Sequence, residues 1–226
     1  MSERPLRFLP SHNSWEETMT RTTTSSTAVA LSPRSWRTIE LITATFTGVV
    51  FGVAYWGWSS LYSVVSGPVA GVFGSLQGIL GGPWLIAGVV AGLVVRRPGA
   101  ALISELLAAI VEALLGNQWG WATLISGALQ GLGVEVALAI FVWKRFGPAV
   151  AMLGGALAAL FEFAYEWHAY WQGTSAGFKA GYAVLFMLSG ALVAGLGGWA
   201  LTRGLARSGA IDALPAGRDA AHARQR

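Results

Sequence analysis

The 226-residue sequence has no cysteine, so disulfides and cysteine-ligated metal centres are excluded. Histidine is nearly absent, with three residues, one of them in the C-terminal stretch, so no histidine metal cluster can be assembled. Charge is scarce as well. Asp, Glu, Lys and Arg make up 12% of the chain, against about 25% in a soluble domain. No G-x4-GK[ST] loop is present, so ATP is not hydrolysed by that route. HExxH and a Ser–His–Asp grouping are missing too. These absences leave no enzyme chemistry, cofactor or metal to assign. What is present is apolar: 54% hydrophobic residues, a mean hydropathy of +0.55 and thirty glycines. That is the composition of a polytopic, all-α membrane protein with close helix packing. The net charge of +4 does not point to nucleic acid, because the basic residues sit at the ends of apolar runs and not in one patch.

Apolar runs fall at roughly 37–60, 66–96, 98–116, 121–143, 148–170 and 178–203. Each is long enough to cross a bilayer. The run 66–96 is broken by Gly81-Gly82-Pro83, so it holds either two short helices or one helix preceded by a membrane-embedded loop. Charge placement decides. With six spans, Arg34/Arg37, Arg96/Arg97, Lys144/Arg145 and Arg203/Arg207 all lie on one side, the cytoplasm by the positive-inside rule. Seven spans would scatter them. The expectation is therefore a six-helix membrane domain over 36–205, with residues 61–80 as an outward-side or re-entrant loop. Residues 1–35 (with "TMTRTTTSSTA") and 206–226 read as disordered cytoplasmic tails, the first without the apolar region of a signal peptide.

Seven of the eleven tryptophans fall at the outward ends: Trp56, Trp58, Trp84, Trp119, Trp121, Trp167 and Trp171. An interfacial belt would populate both sides. An aromatic-lined pocket opening outward explains the asymmetry. Glu112 lies near the same end of the third span, and Glu162 and Glu166 are one turn apart on the fifth. A charged group at mid-membrane costs about 2.5–3.5 kcal/mol on insertion scales. Carboxylates beside indole faces suit a cation or a hydrogen-bonding aromatic ring. The same glutamates could instead serve as structural polar glue. Glu105 and Glu112, seven residues apart on one helical face, could also serve proton coupling in a secondary transporter. Asn117 and Gln118 read as loop caps or ligand donors, and Gln130 is equally open. A purely structural membrane subunit would need no such cluster. On the first span, Ala44-x3-Gly48-x3-Gly52 forms a flat stripe for internal packing or for a partner helix.

Three stretches, "FGVAYWGWSSLY" (51–62), "RRPGAALISELLAAIVEALLGNQWG" (96–120) and "GALQGLGVEVALAIF" (127–141), resemble the YkoE-type substrate-binding S components of energy-coupling factor (ECF) transporters. The resemblance covers roughly residues 37–205. It implies a six-helix bundle in the bacterial plasma membrane that captures thiamine or its hydroxymethylpyrimidine moiety from outside. It also implies a transmembrane coupling (T) protein and cytoplasmic ATP-binding subunits as partners. Many such components dock the coupling protein on the first helix, which gives Ala44, Gly48 and Gly52 that role here. The expected ligand contacts are Trp56, Trp58, Tyr62, Glu105, Glu112, Asn117, Gln118, Trp119, Gln130, Glu162, Glu166 and Trp167, with 61–82 as a lid.

Overall fold

The computed structural model describes residues 35–224. The N-terminal tail expected at 1–35 therefore lies almost wholly outside the described residues. Helices dominate, and there is no strand among the described residues. They are α1 (Thr38–Val72), a 3-10 segment (Gly74–Leu85), α2 (Ile86–Val95), α3 (Ala100–Leu115), α4 (Thr123–Ile140), α5 (Pro148–Ala169), α6 (Ala176–Ser189), a π-helical stretch (Gly190–Gly197), α7 (Gly198–Arg207) and α8 (Pro215–Arg224). Five continuous stretches are long and apolar enough to cross a membrane: Thr38–Val72, Gly74–Val95, Gly120–Ile140, Pro148–Ala169 and Ala176–Arg207. The 16-residue α3 lies between the second and third of these. At 1.5 Å per residue it spans about 24 Å, just short of a hydrocarbon core. Together they make the six-helix bundle.

Residues 61–80 do not form the expected loop. α1 runs for 35 residues, through Pro68, before ending at Val72. The chain then reverses into the 3-10 segment, which continues directly into α2 as one crossing. Small residues make this possible. Gly78 packs on the Tyr182 carbonyl and Gly81 lies under the Phe186 ring. Ser189 accepts the Gly82 N–H at 3.2 Å and donates to the Ile79 carbonyl at 2.5 Å. The segment's backbone is thus satisfied by α6 where its own helical ladder is poor.

Close packing recurs at the π-helical stretch. Gly155 of α5 and Gly190 meet backbone to backbone, with no room for a Cβ on either. The stripe Ala44, Gly48 and Gly52 is also used internally. All three are buried, and a Cβ on Gly48 would sit 2.6 Å from the Ser104 carbonyl of α3, while one on Gly52 would sit 2.6 Å from Val111. The expected docking role of this stripe is therefore corrected: α3 already occupies it. The exposed side of α1 is instead Leu41, Ile42, Phe46, Val49, Val50 and Val53.

The reading of 206–226 as disordered fails for its described part. Ile211, Leu214 and Ala216 are buried in a cluster with Ala44, Val90, Val94, Val95 and Ala100. α8 is held there by Arg224, which donates to the Ala206 carbonyl at 2.9 Å, and by an Arg96–Asp219 ion pair.

Candidate functional site

The buried glutamates separate by environment. Near the start of α1, Glu40 accepts the Arg37 N–H at 2.9 Å and two Arg97 guanidinium bonds at 3.0 and 3.2 Å. Its side chain is fully buried, and it acts as a helix-start anchor. Glu135 of α4 accepts the Ala101 N–H at 2.8 Å, so it caps the free amides at the start of α3. Both lie at the arginine-rich end of the bundle, and both are structural.

Glu105 and Glu112 do face the same way on α3, and they bond to different partners. Both Glu105 oxygens lie 3.1 Å from the Tyr55 hydroxyl. Glu112 accepts from the Ser59 hydroxyl and, at 3.1 Å, from the Trp84 indole N–H. Each carboxyl therefore ties α3 to α1, and Glu112 ties in the 3-10 segment as well.

The pocket lies at the other end of the bundle. α1 contributes Tyr55 and Tyr62, and the 3-10 segment contributes Gln77, Gly81 and Trp84. Ala109 and Glu112 come from α3, and Trp119 from the turn after it. α4 supplies Thr123, Ser126 and Gln130. α5 supplies Glu162 and Glu166, Tyr170 follows it, and α6 supplies Tyr182 and Phe186. Tyr62, Trp84 and Trp119 form a mutual cluster with ring centroids 5.3–5.6 Å apart, Trp84 and Trp119 standing edge to face. Glu162 Oε2 and Glu166 Oε2 are buried and have no hydrogen-bond partner. An unmade bond to a buried carboxyl costs more than to a neutral group, so these oxygens mark where a donor is missing. Among the described residues, no group of three or more His, Asp or Glu side chains is placed to hold a metal ion.

Of the expected contacts, Tyr62, Glu112, Trp119, Gln130, Glu162 and Glu166 line this space. The others stand elsewhere. Trp56 is exposed, and Trp167 is also exposed, packed against Phe163 with the Lys179 ammonium 4.5 Å over its ring. Both are corrections, since neither side chain lines the cavity. Trp58 backs the wall, donating to the Leu80 carbonyl at 3.1 Å and packing edge-on against Trp84. Glu105 sits beneath Tyr55. Asn117 is a loop cap: its carbonyl accepts the Trp119 and Gly120 N–H groups at 3.0 and 2.7 Å, and its amide donates to Thr123 at 2.8 Å. It shapes the turn that presents Trp119. Gln118 is exposed.

Sequence reasoning placed Trp84 at the pocket end without naming it a contact, and missed Tyr55, Ser126, Tyr182 and Phe186 as pocket residues. A usable signal existed for one of them. Ser126 and Gln130 are one turn apart on α4, as Glu162 and Glu166 are on α5, and two such polar pairs on adjacent helices point at each other. The Phe178-x3-Tyr182-x3-Phe186 stripe carries no such signal, because its spacing is that of ordinary core.

Residues 39–161 match the family described as ABC-type cobalt transport system, permease component. A protein of Bacillus subtilis (strain 168) named as an HMP/thiamine permease, YkoE, is 34% identical over 195 residues, covering 85% of this chain and 96% of the relative. A crystal structure of an S-component of an ECF transporter superposes with a TM-score of 0.78 at 33% identity, over 84% of this chain and 96% of that one. The chain belongs to the YkoE-type S components of ECF transporters. It is thus the substrate-binding membrane subunit of a transporter and not an enzyme. The pocket with its buried carboxyl groups is the candidate site for that role.

Proposed function

We propose that this S component captures thiamine or its hydroxymethylpyrimidine moiety from outside a bacterial cell, through the pocket between α1, α4, α5 and α6. The observation that carries the reading is the pair of buried, unpartnered oxygens on Glu162 and Glu166 within an aromatic-lined cavity. An aminopyrimidine offers an exocyclic amine that donates to a carboxylate and a flat face for indole or phenol rings. The thiazolium of thiamine adds a positive charge that the acidic cluster attracts. The name of the Bacillus subtilis relative points to the same ligands. Glu112, Gln130, Tyr62 and Trp119 are the further contacts this reading assigns.

In the same reading the arginine-rich end, with Arg37, Arg96, Arg97, Lys144 and Arg145, faces the cytoplasm, and both termini lie there. The pocket then opens outward. Release inside depends on a transmembrane coupling protein and cytoplasmic ATP-binding subunits, because this chain carries no phosphate-binding loop of its own.

The test is titration of the purified chain, without any ATPase, with thiamine and with hydroxymethylpyrimidine. Tryptophan fluorescence should be quenched at submicromolar to micromolar ligand, since Trp84 and Trp119 line the cavity. No response to either compound, with uptake persisting in cells that lack the coupling and ATPase subunits, would sink the proposal.

A further inference from the structure

Tyr55 and Glu105 form a contact that the pocket surface does not explain. Glu105 is 1% exposed and does not line the cavity. Both of its oxygens lie 3.1 Å from the Tyr55 hydroxyl, which donates its single proton there. The same hydroxyl accepts the Ala87 N–H at 2.8 Å. Ala87 is the second residue of α2, at its junction with the 3-10 segment. The Tyr55 oxygen therefore closes the amino end of α2 and is itself aimed by Glu105.

This end of α2 matters to the cavity. Three residues before Ala87 stands Trp84, a wall of the pocket, whose indole N–H donates to Glu112. Tyr55 and Ser59 are one turn apart on α1, and Glu105 and Glu112 are two turns apart on α3. Two rungs therefore tie residues 84–87 to both helices: Ser59–Glu112–Trp84 in the pocket, and Tyr55–Glu105–Ala87 beneath it. The lower rung is built tightly, since a Cβ on Gly88 would lie only 3.2 Å from Glu105 Cγ. Losing it frees the amino end of α2, and Trp84 with it.

We propose that Glu105 is a positioning residue for ligand capture: through the Tyr55 hydroxyl it fixes the amino end of α2, and so sets the Tyr55 ring and the Trp84 indole against the ligand it never touches. This rests on the functional reading above.

The experiment compares Glu105→Ala, Glu105→Gln, Tyr55→Phe and the Glu105→Ala/Tyr55→Phe double variant in the purified full chain. Affinity for thiamine and hydroxymethylpyrimidine is measured by calorimetry, and amide hydrogen exchange is followed over residues 86–88. Glu105→Ala and Tyr55→Phe should each weaken binding by about tenfold, and the double variant by clearly less than the product of the two, because the Tyr55–Glu105 bond is lost in both. Glu105→Gln keeps an oxygen that accepts from Tyr55, so its affinity should stay within about threefold of the wild type. Exchange at 86–88 should rise in Glu105→Ala and Tyr55→Phe and not in Glu105→Gln.

A folded Glu105→Ala that binds as the wild type does would overturn the proposal, as would additive losses in the double variant. If Glu105→Ala does not fold, the other two singles decide. Tyr55→Phe without a loss, or Glu105→Gln with a tenfold one, overturns it. A wild-type chain that binds neither compound would remove the functional reading and this inference together; wild-type binding that is insensitive to the variants removes the inference alone.

Discussion

The two ends of the bundle bury the same residue type and use it in opposite ways. At the arginine-rich end, Glu40 meets Arg37 and Arg97, and Glu135 meets the first amides of α3. At the pocket end, Glu162 and Glu166 each keep one buried oxygen without a hydrogen bond, although Ser126 and Gln130 face Glu162 and Tyr182 and Trp171 face Glu166. Residue type is the same at both ends, and Glu162 is as buried as Glu40 and Glu135, so neither property separates structure from function. The count of unmade bonds does. A carboxyl whose oxygens are all engaged stabilises the fold, while one left short is held in reserve for a donor that arrives with the ligand.

The sharpest break of this comparison lies at the pocket end. Glu162→Gln and Glu166→Gln should each weaken binding of thiamine or hydroxymethylpyrimidine by roughly a hundredfold, about 2.7 kcal/mol, as the loss of a charge-assisted bond in a buried site. Neither should lower the melting temperature of the ligand-free chain, because each removes a buried charge lacking full partnership. Calorimetry and a thermal melt on one preparation test both halves. A variant that melts earlier and binds normally would turn these residues into structural glue.

The converse variant comes next. Glu40→Ala should cost about 2–3 kcal/mol of stability, since it removes two bonds to the Arg97 guanidinium and the bond to the Arg37 N–H that caps α1. Ligand affinity of the folded fraction should not change. A thermal melt beside a ligand titration reads both, and an affinity loss at Glu40→Ala would erase the distinction between the ends.

Much of this contrast was legible in the sequence, for physical reasons. Apolar length and arginine placement set the six crossings, and the Glu162/Glu166 spacing put two carboxyls on one face near the tryptophan-rich end. What was hidden depended on which neighbour a face meets. Ala44, Gly48 and Gly52 form a flat stripe whatever lies on it, and only packing reveals that α3 does. Tyr55 and Tyr182 sit at core spacing, so nothing local separates a pocket ring from a core ring. The extension of α1 through Pro68 was hidden because Gly and Pro read as loop signals, whereas the helix tolerates them there. Trp56 and Trp167 misled in the other direction: their position along the span was read, but their angle around the helix was not.

The stripe supplies a third prediction. Gly48→Leu should destabilise the isolated chain by about 1–3 kcal/mol, because its side chain would collide with Ser104 and Leu107 of α3. The comparison that matters is with Val49→Ala on the exposed side of α1, which should leave the melt of the lone chain unchanged. If Gly48→Leu melted normally and failed only when a partner was added, the stripe would be a docking surface after all.

The smallest effect belongs to the C-terminal helix, and it separates packing from charge within the arginine-rich end. Asp219 is paired with Arg96 but is mostly exposed, 67% by side-chain area. Exposed pairs are worth at most about 1 kcal/mol, so Asp219→Asn should shift the melt only slightly, and less still in high salt. Leu214 lies 4% exposed against the cluster that includes Val90, Val94 and Ala44. Leu214→Ala should therefore cost more, about 2 kcal/mol or above, for lost burial and the cavity left behind. If melts at low and high salt ranked the two variants the other way, α8 would be held by its charges and not by its apolar face, and the structural role of this end would rest on arginine alone.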